Sequence, residues 1–209
     1  MEYDLKPLSV SSELLHWEDS PIYYPAMVRI ITPMDGENAF FYAILNAFYF
    51  PYREGILFNQ QISQRQLVNM FRQELITSLN VPVHNGNEND TYLSIIGNGY
   101  YLKNSPDPTD LERQLKSNTS ISYIVREHVS NVVNKDIYII DASTQDIHVS
   151  PSDLQLLYKQ RVSIFILKLS HHYELLGCRK PNGDFQTSFM PDHPWVKKIY
   201  TLINRRLCS

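Results

Sequence analysis

Two stretches carry side chains whose types and spacing suit chemistry at a carbonyl carbon. His171 and His172 follow Ser170 at the end of an apolar run, Val162–Leu169. If that run and the next are strands, the two rings point to opposite faces, and Glu174 shares the face of His172. An imidazole with a carboxylate two residues on is a pairing that can orient a general base. On spacing alone a polar strand end explains both histidines more simply. The second stretch is Asp35-Gly36-Glu37-Asn38-Ala39-Phe40-Phe41-Tyr42-Ala43-Ile44-Leu45-Asn46-Ala47-Phe48. A polar turn runs there straight into an apolar helix. Such a helix start gathers unsatisfied backbone N–H groups and the positive end of the dipole. That geometry binds anions, lowers a thiol pKa and holds an oxyanion. The first helical position, where a nucleophile would stand, is Ala39, which has no chemistry.

These residues need elements to hold them. Phe40, Phe41, Ile44, Leu45 and Phe48 fall at helical spacing, with Ala43 and Ala47 filling the remainder, so this helix is expected to be central. Pro51 is expected to end it, with a loop over Arg53–Asn59. Ser63 and Gln66 form a capping box ahead of Leu67, Met70, Phe71, Leu75 and Leu79, one apolar stripe. Residues 1–33 read as irregular apart from a strand at Met27–Ile31. Residues 82–119 are the least regular, with a second capping box at Thr109–Glu112 predicting a short helix through Leu115. Ile121, Ile124, Val125, His128, Val129, Val132 and Val133 predict an amphipathic helix to Asn134, then a strand at Ile137–Ile140 and a short one at Ile147–Val149. Val162–Leu169 reads as an interior strand and Tyr173–Cys178 as its meander partner. Pro181-Asn182-Gly183-Asp184 is a turn. A last helix over 194–207 begins at Pro194 and faces inward through Trp195, Ile199, Leu202 and Ile203. Its lysines and arginines make a solvated face. The order favours an α+β or α/β fold with a small central sheet flanked by helices.

Composition narrows the function. The 209 residues fit a single domain, and 12% aromatic content argues against disorder. A net charge of −3 gives no electrostatic case for nucleic acid. Two cysteines, Cys178 and Cys208, form neither a disulfide framework nor a zinc-ligand pattern. No apolar segment reaches membrane-spanning length, and the N-terminus is too polar for a signal peptide. A soluble, cytoplasmic monomer without metal or organic cofactor is expected.

The Asp35–Ile44 stretch resembles the nucleophile motif of the ovarian-tumour (OTU) family of deubiquitinating cysteine proteases: Asp-Gly, then Cys, an apolar pair, and a small residue four positions past the Cys. Ile166-Leu167-Lys168-Leu169-Ser170-His171-His172-Tyr173-Glu174 resembles that family's strand leading to His-Tyr-Asp. The helix at Ile121–Asn134 and the strand after it resemble the elements between. The match covers about residues 27–178, in order. It implies a papain-type cysteine-protease fold that cleaves the (iso)peptide bond after the C-terminal glycines of ubiquitin, polyubiquitin or a ubiquitin-like modifier. By that resemblance Ala39 holds the nucleophile position, His172 that of the general base, Glu174 that of the acid orienting it, and Asp35 shapes the oxyanion loop. Residues 82–119 would grip the body of ubiquitin.

The sequence departs from the family's pattern at several points. One extra residue lies between Gly36 and position 39, Glu replaces the usual Asp or Asn at 174, and a Trp-Gly-Gly before the middle helix is absent. Neither cysteine replaces the nucleophile: Cys178 is six residues past His172, roughly 20 Å along an extended strand. Ala39 is then either an engineered replacement that silences the enzyme or the mark of a natural pseudoprotease that binds ubiquitin or a host protein. Retention of Asp35, His172 and the aromatic flank favours the first. The idiosyncratic loops suit a viral or bacterial effector acting in host cytoplasm.

Overall fold

The computed structural model describes residues 5–7, 27–36, 38–82, 90–97, 108–117, 121–142, 146–149, 161–170, 172–180, 185–197 and 199. In chain order the elements are β1 Leu5–Pro7, β2 Met27–Ile30, α1 Asn38–Phe48, α2 Phe50–Glu54, β3 Ile56–Leu57 and β4 Gln60–Gln61. There follow α3 Gln64–Ser78, α4 Tyr92–Gly97, α5 Pro108–Lys116, α6 Tyr123–Val132, β5 Asp136–Asp141, β6 Asp146–Val149, β7 Ser163–Leu169, β8 His172–Arg179 and β9 Phe185–Gln186. The main sheet runs β1-β2-β8-β7-β5-β6, with β9 on β8. β5 and β7 are parallel, and every other pairing in this sheet is antiparallel.

Alternation along these strands builds two cores from one sheet. Ile30, Ile139, Ile166, Tyr173 and Leu175 face α1, α3, α5 and α6. Ile140, Phe165, Leu167, Leu176 and Cys178 face the other way, onto Phe189, onto Trp195 and Val196 of the helical stretch 194–197, and onto Ile199. The fold is therefore mixed α+β, a central sheet between helices. Helix α1 lies in the first layer with every residue from Asn38 to Ala47 buried, as its all-round apolar pattern predicts.

Helix α3 begins as read. Ser63 Oγ accepts from the Gln66 amide at 3.2 Å, and Gln66 Oε1 accepts from the Ser63 amide at 2.9 Å. Its stripe differs at one point: Met70 is 51% exposed, while Val68 is buried in its stead. Pro51 does not open a loop. It sits in the first turn of α2, where its missing N–H costs no helical bond, and Gly55 closes that turn at φ +69°. Instead of a loop over 53–59, a β3–β4 hairpin follows. Thr109 is no N-cap, because α5 already starts at Pro108. Two further elements, β1 against β2 and the short α4, carry too little periodicity to read from sequence. The Pro181–Asp184 turn, the inward Leu202 and Ile203, and Cys208 lie outside the described residues.

Among the described residues no helix is long and apolar enough to cross a membrane. Nor does any group of three or more His, Cys, Asp or Glu among them suit a metal ion.

His128 on α6 is fully buried, edge-on to Tyr92 at 4.6 Å between ring centroids. Its Nε2–H donates to the Leu75 carbonyl at 2.8 Å. Burial pushes the imidazole down to about 4, against a smaller opposing effect of that bond. The unfolded chain then holds more protons than the folded one between about pH 6.5 and 4. Stability is full above that window and falls as the pH drops through it, by on the order of 3 kcal/mol from this group. Urea unfolding at stepped pH should show the loss in the native protein, and His128→Gln should flatten it. An unchanged slope in the variant would refute the assignment.

Candidate functional site

The sequence-predicted residues fall at one end of the sheet. Strand β2 ends at Ile30, the chain passes Thr32 and the Asp35-Gly36 turn, and α1 begins at Asn38. His172 opens β8, the neighbour of β2. The Phe40 ring meets the Tyr173 ring edge-on at 5.6 Å, which seats the start of α1 on the start of β8.

Asp35 acts on the fold of this turn. Its Oδ2 accepts from Asn38 Nδ2 at 3.0 Å and from the Tyr42 hydroxyl at 3.2 Å. Burial, with the Asp35 carboxylate beside it, holds the Tyr42 phenol above its ordinary range, so the hydroxyl remains a donor. Gly36 takes φ +53°, the left-handed conformation a tight reversal requires. The Asn38 amide donates to the Asp35 carbonyl at 3.1 Å, and the Ala39 amide to the Gly36 carbonyl at 3.1 Å. Those two N–H groups are thus engaged inside the turn, whereas the sequence suggested open donors for an oxyanion. These i→i+3 bonds close the turn before the helix starts. Ala39 is the second helical residue and fully buried.

Asn38 ties this turn to the helical layer. Its Oδ1 accepts from Arg72 Nη1. Arg72, buried on α3, also donates from Nε to the Leu115 carbonyl at 2.8 Å, and from Nη2 to the carbonyls of Gln114 (3.3 Å) and Ser117. Its guanidinium lies 5.0 Å from the centre of the Phe41 ring. One cation therefore fills the carbonyl end of α5 and fixes the start of α1. The signal was present in sequence: Arg72 sits four residues after Val68 and three before Leu75, on the buried stripe of α3.

On β8 the expectation for Glu174 changes. Glu174 Oε2 and Oε1 accept from Arg29 Nε and Nη2 at 2.5 and 3.0 Å, a bidentate pair across β2 and β8. Its carboxylate is held by the arginine, not by the imidazole. Arg29 was legible only as a lone charge within an apolar strand. His172 shares the alternation of Glu174, while Tyr173 takes the face that meets α1. What meets the imidazole is Thr32. Thr32 Oγ1 lies 3.3 Å from His172 Nε2 and donates its proton to the Tyr173 carbonyl at 2.5 Å. Thr32 is 2% exposed and His172 8%. Desolvation is the main influence lowering the His172 pKa; Glu174 raises it and Arg29 lowers it further. The ring is neutral at pH 7 and able to accept a proton. Met34, 84% exposed between Thr32 and Asp35, offers an apolar contact beside this end of the sheet.

Cys178 lies buried near the far end of β8, with its thiol pushed up by burial, which disfavours the nucleophilic thiolate. His171 and Glu37 lie outside the described residues.

No family model and no curated protein matches the chain. Among solved structures it is similar to one described as "Structure of Ovarian Tumor (OTU) domain in complex with Ubiquitin". The two are 20% identical over 84% of this chain and 82% of that one, with a TM-score of 0.46. A likeness so distant leaves the assignment to the residues themselves.

Replacing Arg72 by Met keeps an unbranched apolar stem but strands Asn38 Oδ1 and the α5 carbonyls without their donor. The expected loss is about 3 kcal/mol of stability, the usual scale for removing one partner of a buried charged network. Chemical denaturation of Arg72→Met reads it directly. A change within a few tenths of a kcal/mol would mean that the network is not what fixes α1 (the exposed-pair scale).

Proposed function

We propose that this chain is an OTU-type domain directed at ubiquitin or a ubiquitin-like modifier, with the histidine end of a cysteine-hydrolase site in place and the nucleophile missing. The observation that carries the reading is the His172 ring: buried, neutral, held at Nε2 by Thr32, at the sheet end from which the chain enters α1. With Ala at position 39, no thiolate can attack the carbonyl of an isopeptide bond. The protein as it stands holds the C-terminal Gly-Gly tail of its partner without cutting it. Residues 82–119 are proposed to contact the partner's body, and the reducing cytoplasm is the proposed setting. Asp35 then acts by shaping the turn, and Glu174 by fixing β8 to β2 through Arg29.

A hydrolase silenced by one substitution and a natural binding module differ in what Ala39→Cys does. A thiol there would stand in the first turn of a buried helix, where the dipole favours the thiolate. In the silenced hydrolase, Ala39→Cys forms a covalent adduct with a C-terminally electrophilic ubiquitin probe, and His172→Ala abolishes the labelling. A folded Ala39→Cys protein that stays unlabelled by ubiquitin and ubiquitin-like probes leaves the binding module.

Binding is tested with the native chain. Titration calorimetry should show tighter binding to full-length ubiquitin than to ubiquitin lacking its last two residues. Equal affinities would move the contact away from the His172 end of the sheet, and absence of binding to ubiquitin and ubiquitin-like proteins would overturn the reading.

A further inference from the structure

Thr32 carries a single hydroxyl proton with two neighbours competing for it. The Tyr173 carbonyl oxygen, 2.5 Å away, can only accept, so the proton points there. His172 Nε2, 3.3 Å from the same oxygen, therefore meets a lone pair and must be the donor. We propose that Thr32 is the positioning residue of this site: it fixes His172 in the Nε2–H tautomer and leaves Nδ1 as the basic nitrogen.

The surroundings support that assignment against two alternatives. Glu174 would be the expected orienter, but both of its oxygens accept from Arg29. Its negative charge still stabilises the imidazolium from a distance, a separate effect from setting the tautomer. A threonine hydroxyl next to a histidine also raises the alternative of a hydroxyl nucleophile. Its burial at 2% exposure and the commitment of its proton to a main-chain carbonyl argue against attack on any substrate. The carbonyl belongs to Tyr173, the residue following His172, so the hydroxyl grips the β8 backbone and the ring together. That double attachment fixes the ring relative to the strand and to the chain leading from β2 into α1. Among the described residues Nδ1 has no hydrogen-bond partner, consistent with a nitrogen kept for proton transfer.

This inference rests on reading His172 as the site's base, but its test needs no ubiquitin. Nitrogen-15 NMR of histidine-labelled native protein, above the His172 titration, reports which ring nitrogen bears the proton. The expected result is a single Nε2–H tautomer for His172. Thr32→Val, equal in shape but without the hydroxyl, should lose that preference and give a mixture. Thr32→Ser should restore it, and Glu174→Gln should keep the tautomer while lowering the pKa. An Nδ1–H tautomer in the native protein overturns the proposal without any variant, even if Thr32→Val fails to fold. An unchanged tautomer in folded Thr32→Val overturns it as well. A failure of ubiquitin binding would leave these signatures untouched, so the two ideas fail separately.

Discussion

A helix buried on every side must satisfy its first turn with groups that are themselves buried. Helix α1 meets that constraint twice over. Inside the turn, the amides of Asn38 and Ala39 bond back to Asp35 and Gly36. Outside it, Asn38 joins Asp35 to Arg72, and Arg72 satisfies carbonyls at the end of α5. An unpaired buried donor or acceptor costs about 1–3 kcal/mol, comparable with a sizeable share of a domain's stability. The position of α1, and with it the whole face of the sheet it covers, depends on this polar chain being complete.

Strand β8 imposes the second condition. Its body is apolar on both faces and joins two cores, yet it opens with His172 and Glu174. Each polar group at that end is met by one on or just past β2: Arg29 for Glu174 and Thr32 for His172. The pair of strands thus behaves as a clamp whose polar end coincides with the entry to α1. The same contacts that make the sheet end stable hold an imidazole buried, neutral and oriented.

A second buried cation follows the same logic away from the site. Arg161 donates to Asp136 Oδ1 at 2.9 Å and to Asn131 Oδ1 at 2.8 Å, joining the start of β5 to the end of α6 just before β7 begins. The parallel β5–β7 pairing needs a long crossover, and this pair fixes where that crossover re-enters the sheet. Both buried arginines work this way because one planar donor group can satisfy several oxygen acceptors at once.

Local periodicity carried most of the element order. The central helix, the capped α3, the α6 helix with β5 after it, and the β7–β8 pair are all legible, since each is set by side chains a few residues apart. So are His172 and the Asp35 turn, which stand at punctuation marks in that pattern. Tertiary structure alone decided who partners whom. Glu174 is two residues from His172 in sequence and bonds Arg29 instead, because pairing with β2 brings a guanidinium within reach. Thr32, far from His172 along the chain, ends beside its ring through that same pairing. Val68 displaced Met70 from the stripe because α3 packs against α1, α5 and α6, which periodicity does not reveal. Spacing along a chain fixes which way a side chain points; what waits there depends on which distant strands hydrogen-bond.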